Sequence, residues 1–503
     1  MSVIIGAGKF AGVSMSTVIL PEKSDAARFR AFLTESGYSE QALIASLGRA
    51  RPPAEGQLHT LLHLTRKPTA INALVRLFLV GSDLESALAE EVLPGWFIEF
   101  GIDTKIFQHD RDRLLANIVI VPTGDFLVAS DAFRVLGTDK AEEFVLPAST
   151  HSAGYLRQLM ISERVERSLD LGCGCGIHAL TASLHSAQVI AGDISERAIL
   201  FTTFNAILNR RDNIECVTGD GFAALGDQKF DQIISNPTFF PGPGSAYTCR
   251  DNRLELDEFC RLLVSDSAKH LNDGGHLQML CEWVEIEGEP WQERLKSWVH
   301  GTDCDTWLLH SPPVLPAIYA SKRLTDIQGE RTAQDRGYDE WLEYFASRNV
   351  VAIHPGMIVL RKRRGDNWFH VHDLATALTG DSGEAVRRGI IANDFLSRAD
   401  DAALLDATLS LSPHLVLEQR YSRTDNQWQP EMSALNMSDG MPMEAEVDMP
   451  VMALLNQLDG SRSLGECITR FAEAASVDEG KIQDDFLPIV RLFVGRGFLT
   501  PPE

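Results

Sequence analysis

The stretch "DLGCGCGIHAL", residues 170–180, sets the fold of the region around it. An apolar run typical of a buried strand leads into it, and an apolar pattern with helical spacing follows. Three glycines stand at alternate positions between them, Gly172, Gly174 and Gly176. Glycines at such a turn let the backbone approach a ligand closely, and the N-terminus of the following helix offers free N–H groups. The stretch therefore predicts the ligand-binding turn of an α/β domain.

Strand-like and helical segments alternate around this turn, from about residue 150 to 365. Such alternation predicts a parallel sheet with helices on both faces. We expect one doubly wound, Rossmann-like domain with a seven-stranded sheet, whose last two strands form an antiparallel hairpin at the edge. The seven predicted strands are "RSLDLG", "AQVIAGD", "NIECVTGD", "FDQIISNP", "HLQMLCEWV", "DTWLLHS" and "VVAIHPGMIVLRKR".

The 503-residue chain is longer than one core usually organises, so further domains are expected on both sides. Residues 1–149 begin with helical patterns and continue into strand-like "LLANIVIVPTGDFLVASD", which predicts a helical or winged-helix-like accessory domain with a β connection. The C-terminal part ends in two helical patterns after "LDGSRSL". It resembles, in topology, the peptide-binding winged helices of enzymes that modify ribosomally made peptides; a dimerisation or packing role is equally open. The predicted domains are 1–149, 150–365 and 366–503.

Composition limits the classes of function. The net charge is −24 at pH 7 and the pI is near 5.0, which disfavours nonspecific binding to nucleic-acid phosphates. The eight cysteines lack the paired spacing of a zinc site, so we expect reduced thiols and no metal. There is no cationic leader and no apolar run of about eighteen residues. We therefore expect a cytoplasmic protein without a membrane partner, and leave its oligomeric state open.

An acidic residue ends each of the first three predicted strands: Asp170, Asp193 and Asp220. A carboxylate before the glycines repels a pyrophosphate but suits a ligand with an ammonium group, such as S-adenosylmethionine. Asp193 is placed to accept both ribose hydroxyls. Asp220 is placed to accept from the adenine amine, with Phe222 available to pack on the ring. Each acid alone is as well explained as a helix N-cap, but three at successive strand ends favour cofactor binding.

The fourth predicted strand ends in "ISNPTFF", which places Asn236, Pro237, Thr238 and Phe239 where an acceptor would meet the cofactor. With these residues the central region resembles the class I methyltransferases. It is most similar to their small-domain family, which includes glutamine-amide methyltransferases of release factors and guanine-amine methyltransferases of ribosomal RNA. The family motif is Asn-Pro-Pro-Tyr or Asn-Pro-Pro-Phe. The resemblance covers the central domain only.

The resemblance implies a chemistry for this loop. An amide or aryl-amine nitrogen is a poor nucleophile because its lone pair is delocalised. The side-chain oxygen of Asn236 and the backbone oxygen of Pro237 can accept its two N–H groups, and Phe239 can stack on the planar group. Catalysis is then mainly positioning. We expect an S-adenosylmethionine-dependent methyltransferase acting on a planar nitrogen of a protein, peptide or nucleobase.

Thr238 departs from the family motif because it stands where the second proline would. It restores a backbone N–H, and the segment after it, "FFPGPGSAY", is long and rich in proline. We expect Thr238, Phe240, Tyr247 and Arg250 to contact the substrate. For Tyr247 and Arg250, a solvated charged turn is an equally good explanation. Two alternatives stay open: a natural-product methyltransferase acting at nitrogen or oxygen of a small molecule or peptide, and a noncatalytic regulator that binds the cofactor.

Two other features are weaker candidates. His178, at the start of the first helix of the α/β domain, is more typical of a packing residue than of a base. The basic run Arg361–Arg364 is most simply a solvated edge, and it also leaves contact with RNA open. We therefore expect a protein, peptide or small-molecule partner, with RNA disfavoured by the net charge.

Overall fold

The computed structural model describes residues 18–53, 57–132, 143–243, 254–325, 331–374, 378, 382–424 and 426–502, without the side chains of 325 and 331–336. The chain divides into two compact units. The first comprises Met1–Arg157 and Glu163–Val371, and the second comprises Gln158–Ser162 and His372–Glu503. The division into three domains at residues 149 and 365 stays a prediction.

Short helices build the first part of the first unit. The helical patterns of the sequence include "DAARFRAFLTESG" and "AINALVRLFLVG", and both form helices. The second continues from its α-helix into a π-helical turn, Val75–Val80. Gly48 and Gly81 end their helices in the left-handed conformation that favours glycine. The helices are α1 (Lys23–Glu35), α2 (Glu40–Leu47), α3 (Leu58–Leu64), α4 (Ala70–Leu74), α5 (Ser86–Val92) and α6 (Gly95–Asp103).

Five strands follow or interleave with these helices. The first three form a small sheet in the order β1-β3-β2, and the last two form a buried hairpin whose residues are all covered. The predicted strand-like segment, "LLANIVIVPTGDFLVASD", supplies the last three of these strands. The strands are β1 (Leu84–Glu85), β2 (Phe107–Asp110), β3 (Arg113–Ala116), β4 (Ile118–Thr123) and β5 (Phe126–Asp131).

An eight-stranded mixed sheet organises the rest of the first unit. All seven predicted strands are present, and an eighth, whose polar sequence gave no strand signal, joins the edge. Their order is β13-β11-β12-β10-β9-β6-β7-β8. The strands are β6 (Val165–Leu171), β7 (Ser186–Asp193), β8 (Ile214–Thr218), β9 (Phe230–Ser235), β10 (Leu271–Ile286), β11 (Cys304–His310), β12 (Val350–Lys362) and β13 (Phe369–Asp373). The predicted α/β, Rossmann-like fold class is confirmed.

The last two of the seven predicted strands pair antiparallel near one edge of the sheet, as predicted, but they do not form a direct hairpin. β12 lies between β10 and β11 and runs antiparallel to both. The connection from β11 to β12 contains two helices, so the chain crosses over instead of turning back at once. An almost continuous apolar strand such as β12 suits this position inside the sheet, where both faces are covered.

Helices pack against this sheet. Apolar side chains of α10 and α11 share a buried core with those of the central strands. Those of α8 and α9 share another core with the N-terminal helices and with β4 and β5. The helices are α7 (His151–Leu159), α8 (Ile177–Ala182), α9 (Glu196–Leu208), α10 (Glu258–Lys269), α11 (Trp291–Val299), α12 (Pro316–Thr325) and α13 (Arg331–Ala346), with a 3₁₀ turn at Gly221–Ala224.

Two asparagines of α9 bind the N-terminal hairpin to the α/β domain. The Asn205 amide accepts from the Ala129 N–H and donates to the Ala129 carbonyl, each at 2.8 Å. Asn209 pairs in the same way with the Leu127 backbone, at 3.0 and 2.8 Å. These bonds satisfy polar groups along β5 that would otherwise be buried without partners.

The described residues from 382 onward in the second unit form five helices and two small sheets. Its sheets have the orders β18-β14-β19 and β15-β16-β17. Its helices are α14 (Ser382–Arg398), α15 (Asp401–Asp406), α16 (Met449–Leu455), α17 (Leu464–Ala475) and α18 (Glu479–Gly495). Its strands are β14 (Thr408–Leu411), β15 (Leu415–Thr424), β16 (Gln427–Met437), β17 (Glu444–Glu446), β18 (Asp459–Ser463) and β19 (Leu499–Thr500).

The end of the second unit follows the predicted series of a helix, a connection, a second helix and a longer third helix. The connection contains β18, and Ser463 then starts α17 with a capping box that includes Glu466. The winged-helix assignment itself stays a prediction. In the described part of the chain, no helix has the length and apolar character needed to cross a membrane.

Candidate active site

The glycine loop between β6 and α8 has the backbone conformation that its sequence predicts. Gly172, Gly174 and Gly176 have φ values of +75°, +54° and +76°, which side chains rarely tolerate. A Cβ added to Gly176 would lie 2.7 Å from Cγ2 of Thr202, so the loop packs closely against α9. A Cβ added to Gly172 or Gly174 would meet nothing within 4 Å. The loop therefore leaves open space beside its backbone.

Asp170 lies fully buried at the end of β6, directly before this loop. Its Oδ2 accepts from the Ala179 N–H at 2.8 Å, so one oxygen holds the first turn of α8. Its Oδ1 is buried with no hydrogen-bond partner in the described part of the chain. Burial raises the pKa of the Asp170 carboxyl to about 7. A cationic group brought to Oδ1 would satisfy the unpaired oxygen and stabilise the charged form.

Asp193 lies at the end of β7 and holds two backbone segments. Its Oδ2 accepts from the Gly174 N–H at 3.0 Å, and its Oδ1 accepts from the Ser195 N–H at 2.9 Å. Burial raises the pKa of the Asp193 carboxyl. A carboxylate oxygen can accept more than one hydrogen bond, so capacity remains for ribose hydroxyls. The predicted ligand role is compatible with this added structural role.

Asp220 and Phe222 follow β8, on the side of the loop where the adenine is predicted. Asp220 is exposed and precedes the 3₁₀ turn, but its side chain makes no capping hydrogen bond there. Phe222 is buried and stacks on the His270 ring, with centroids 4.3 Å apart and an interplanar angle of 17°. One face of the Phe222 ring is therefore taken by a protein side chain. Their contacts with adenine stay predictions.

The loop after β9 starts beside the glycine loop. β6 and β9 are parallel neighbours, with Leu171 opposite Ser235. The Ser235 hydroxyl donates to the Leu171 carbonyl at 2.8 Å, which ties the two strand ends together. Asn236 comes next, half-buried, and its Nδ2 donates to the Ser152 hydroxyl of α7 at 3.4 Å. The open space beside the glycines and the Asn236 amide thus lie side by side, at the C-terminal ends of the neighbouring strands β6 and β9.

The remaining predicted residues of this loop are placed as follows. Pro237 and Thr238 are partly buried. Phe239 packs against the core under the central strands and meets Phe240 edge to face, with centroids 5.0 Å apart. Tyr247 and Arg250 lie outside the described residues.

The two weaker candidates have internal partners. His178 is buried and its Nε2 lies 3.3 Å from the Ala153 carbonyl; burial lowers the pKa of its imidazole to about 4. Arg361 and Arg363 both bind the buried carboxylate of Asp305, at 2.5 and 2.6 Å. We expected the basic run to be a solvated edge, and this is only partly right. Two of its three arginines bind a buried acid. Arg364 is the exposed arginine of the run.

Several residues of the site have no signal of their own in the sequence. Ser152 precedes the first strand of the sheet, and nothing in its surroundings points to Asn236. Asn205 donates to the Cys175 carbonyl at 2.8 Å and so supports the glycine loop. Its signal is a polar residue on an otherwise apolar helix face. In the described part of the chain, no group of three or more His, Cys, Asp or Glu side chains could hold a metal ion.

Comparison with known proteins matches two separate parts of the chain to family models. Residues 152–285 match the family model described as the methyltransferase small domain. Residues 387–501 match a family described as a domain of unknown function (DUF7782). The first match contains the glycine loop, the acidic strand ends and the Asn-Pro loop.

Three curated relatives match part of the chain. The chain is 32% identical over 155 residues to the ribosomal protein uL3 glutamine methyltransferase of Bradyrhizobium diazoefficiens, covering 28% of this chain and 49% of the relative. It is 28% identical over 166 residues to the release factor glutamine methyltransferase of Geobacter sulfurreducens, covering 29% and 58%. It is 30% identical over 115 residues to the ribosomal RNA small subunit methyltransferase C of Cronobacter sakazakii, covering 22% and 30%. The chain spans about half the length of the first two relatives.

These matches confirm the resemblance inferred from the motifs. Residues 152–285 are a class I methyltransferase domain of the small-domain family, and the cofactor of this domain is S-adenosylmethionine. The buried, unpaired oxygen of Asp170 fits the ammonium group of that cofactor, and the open space at Gly172 and Gly174 fits its approach to the backbone.

Proposed function

We propose that the protein is an enzyme that methylates a planar nitrogen, an amide or exocyclic amine, and that its acceptor belongs to a protein or peptide. One observation carries this proposal: the Asn-Pro loop and the glycine loop start from paired residues, Ser235 and Leu171, of two neighbouring parallel strands. Cofactor and acceptor sites at the same sheet edge let the two reactants meet without a large movement of the chain.

Each of the predicted cofactor residues binds a different part of S-adenosylmethionine. Asp170 offers its unpaired Oδ1 to the ammonium group, and the backbone at Gly172 and Gly174 lies open to the ligand. Asp193 and Asp220 take the ribose and adenine ends, with Phe222 beside the ring. When bound, S-adenosylmethionine supplies an electrophilic methyl group on a sulfonium.

The Asn-Pro loop consists of residues 236–242 after β9, and we call it the acceptor loop because we propose that it orients the nitrogen of the methyl acceptor. With its Nδ2 donating to Ser152, Asn236 keeps its Oδ1 for an N–H of the acceptor. The Pro237 carbonyl takes a second N–H. Both acceptors turn the lone pair of the nitrogen toward the methyl group. They also stabilise the positive charge that develops on the N–H groups as the new N–C bond forms. No general base is required until the product proton leaves to solvent.

Charge favours a protein acceptor over RNA. The chain carries a net charge of −24, and two arginines of its densest basic run already bind Asp305. Few phosphates can be neutralised by such a surface, and binding to nucleic acid depends on that neutralisation. The names of two relatives specify protein glutamine methylation, and a third names ribosomal RNA.

A labelling experiment tests the proposal. The purified protein is incubated with S-adenosylmethionine carrying a radioactive methyl group and with an extract of cells that lack this protein. We expect protease-sensitive, RNase-resistant label that is stable to mild base, as an N-methyl amide is and a methyl ester is not. RNase-sensitive label would show a nucleic-acid acceptor, and label in neither fraction, with normal cofactor binding, would support a regulator.

A further inference from the structure

The connection between β11 and β12 contains α12 and α13, and both helices contact the chain near the acceptor loop. On α12, the Arg323 guanidinium lies over the Phe240 ring, with its Cζ 3.6 Å from the ring centroid. Phe240 is four residues after Asn236, so this contact fixes the loop directly beyond its functional residues. A planar guanidinium stacks on an aromatic face in a way that an ammonium group cannot copy.

A buried acid holds the guanidinium in place. Arg323 donates to Glu282 Oε1 at 2.6 Å, and the Tyr319 hydroxyl donates to the other carboxylate oxygen of Glu282. Glu282 lies on β10, the sheet neighbour of β9, and is only 5% exposed. The arginine is therefore oriented by the sheet itself. A buried carboxylate that has lost its cation would be costly, which makes the pair a fixed element of the fold.

A second contact fixes the loop two residues further on. A Cβ added to Gly242 would lie 2.4 Å from Cη2 of Trp341 on α13, so the loop backbone rests against this indole ring. Further along the chain, the Leu256 N–H donates to the Tyr344 hydroxyl of α13 at 3.0 Å. Three points of the chain after Asn236 thus meet α12 or α13.

Thr238 explains why the loop needs these contacts. In the small-domain motif the corresponding proline has a fixed φ, whereas threonine leaves that dihedral free. A loop that must hold two hydrogen-bond acceptors in position needs restraint from elsewhere when its own backbone is less restricted. Contacts at Phe240 and Gly242 supply that restraint.

We propose that α12 and α13 form a docking platform that positions the acceptor loop, with Arg323 as its positioning residue; that this loop meets the acceptor rests on the proposed function. The platform does not touch the reacting atoms. It fixes the loop, and therefore the acceptor group, through the stacked pair Arg323–Phe240 and the Gly242–Trp341 contact.

Hydrogen exchange measured by mass spectrometry tests the platform without any substrate. Arg323→Lys keeps a cation for Glu282 but removes the planar stack, and Phe240→Leu removes the ring but keeps the ion pair. We expect the amides of Thr238, Phe239, Phe240 and Gly242 to exchange at least about threefold faster in both variants than in the wild type, with unchanged melting temperature. Arg28→Ala is the matched control, since Arg28 stacks on Trp96 at 3.8 Å in the N-terminal part; it should leave residues 238–242 unchanged.

Two results would overturn the platform. One is wild-type exchange of residues 238–242 in both Arg323→Lys and Phe240→Leu. The other is faster exchange in these variants together with an unchanged rate of methyl transfer into the labelled extract at saturating cofactor. We expect that rate to fall about tenfold, with unchanged affinity for S-adenosylhomocysteine. If wild-type protein transfers no methyl group at all, the proposed function fails, while the exchange result still decides whether the helices hold the loop.

Discussion

The glycine loop and the acceptor loop begin at neighbouring strand ends, yet they are held in different ways. The glycine loop is fixed mainly by residues that the sequence motif itself marks: three left-handed glycines, the buried Asp170 under α8, and the Asp193 carboxylate on the Gly174 N–H. Asn205 of α9 adds a hydrogen bond to the Cys175 carbonyl. The acceptor loop is fixed by side chains that come from distant parts of the chain, Ser152 and Arg323. A cofactor common to a family can be bound by a local motif, whereas an acceptor specific to one enzyme is met by residues from several elements.

The largest effect is expected for a substitution of Asn236, which should change methyl transfer but not cofactor binding. Asn236→Ala removes the side-chain acceptor for the substrate N–H, so we expect the rate of methyl transfer to fall roughly 30-fold to 1,000-fold, equivalent to about 2–4 kcal/mol. Cofactor affinity, measured by calorimetry, should stay at the wild-type value because Asn236 lies on the acceptor side. Asn72→Ala is the control; it removes an exposed hydrogen bond from the Asn72 side chain on α4 to the Lys67 carbonyl.

Full activity of Asn236→Ala would eliminate the nitrogen mechanism. A parallel loss of cofactor binding would instead mean that the two loops are not separate, and that the Asn236 side chain supports the cofactor as well.

The next effect divides the glycine loop into a packing part and a ligand part. Gly176→Ala combines a left-handed φ with a clash against Thr202, so we expect it to lower the free energy of unfolding by about 2–4 kcal/mol. Gly174→Ala has the same backbone strain without a clash, and should lower it by about 1–2 kcal/mol. Chemical denaturation measures both.

Cofactor binding should reverse that order. The methyl group added in Gly174→Ala projects into the open space that the ligand needs. Gly174→Ala should therefore lose more affinity for the cofactor than Gly176→Ala, when both are measured below their melting temperatures. Equal affinity in Gly174→Ala and wild type would show that the ligand does not approach this side of the loop.

A third comparison uses two of the acids at strand ends. Asp193→Ala leaves two backbone N–H groups without their acceptor, so both stability and cofactor affinity should fall, each by about 1–3 kcal/mol. Asp220→Ala should lower only the affinity, because the Asp220 side chain is exposed and makes no capping bond. Thermal melts with and without S-adenosylhomocysteine measure both effects. A stability loss in Asp220→Ala would assign that residue to the fold instead of the cofactor.

The structure of the glycine loop could be predicted from the sequence far better than the surroundings of the acceptor loop. The seven strands and the glycine conformations follow from local patterns, because alternation and positive φ leave their mark on consecutive residues. β13 was missed because its sequence, "FHVHD", is polar and half-exposed. The position of β12 inside the sheet was missed because pairing order depends on the whole sheet.

The same limit applies to the acceptor loop. Asn236 and Pro237 could be identified from a motif, but Ser152, Glu282 and Arg323 contact that loop from other elements of the chain. A single sequence carries no pattern that joins an arginine on α12 to a phenylalanine after β9. Such contacts exist only once the sheet has assembled.

The smallest expected effect is a pH dependence that belongs to the glycine loop alone. Burial raises the pKa of Asp170 to about 7 in the ligand-free protein, so below this pH its carboxyl is largely neutral. The ammonium group of the cofactor favours the carboxylate and lowers that pKa, so binding must release a proton wherever the free protein holds one. Affinity for S-adenosylmethionine should therefore fall as the pH drops below 7, by at most about tenfold per pH unit. Calorimetry in buffers of different ionisation enthalpy should detect most of a released proton at pH 6 and only about a tenth of one at pH 8. Asp170→Asn should bind more weakly at pH 8 but without this pH dependence, and a wild-type affinity that is constant from pH 6 to 8 would show that Asp170 does not meet the ammonium group.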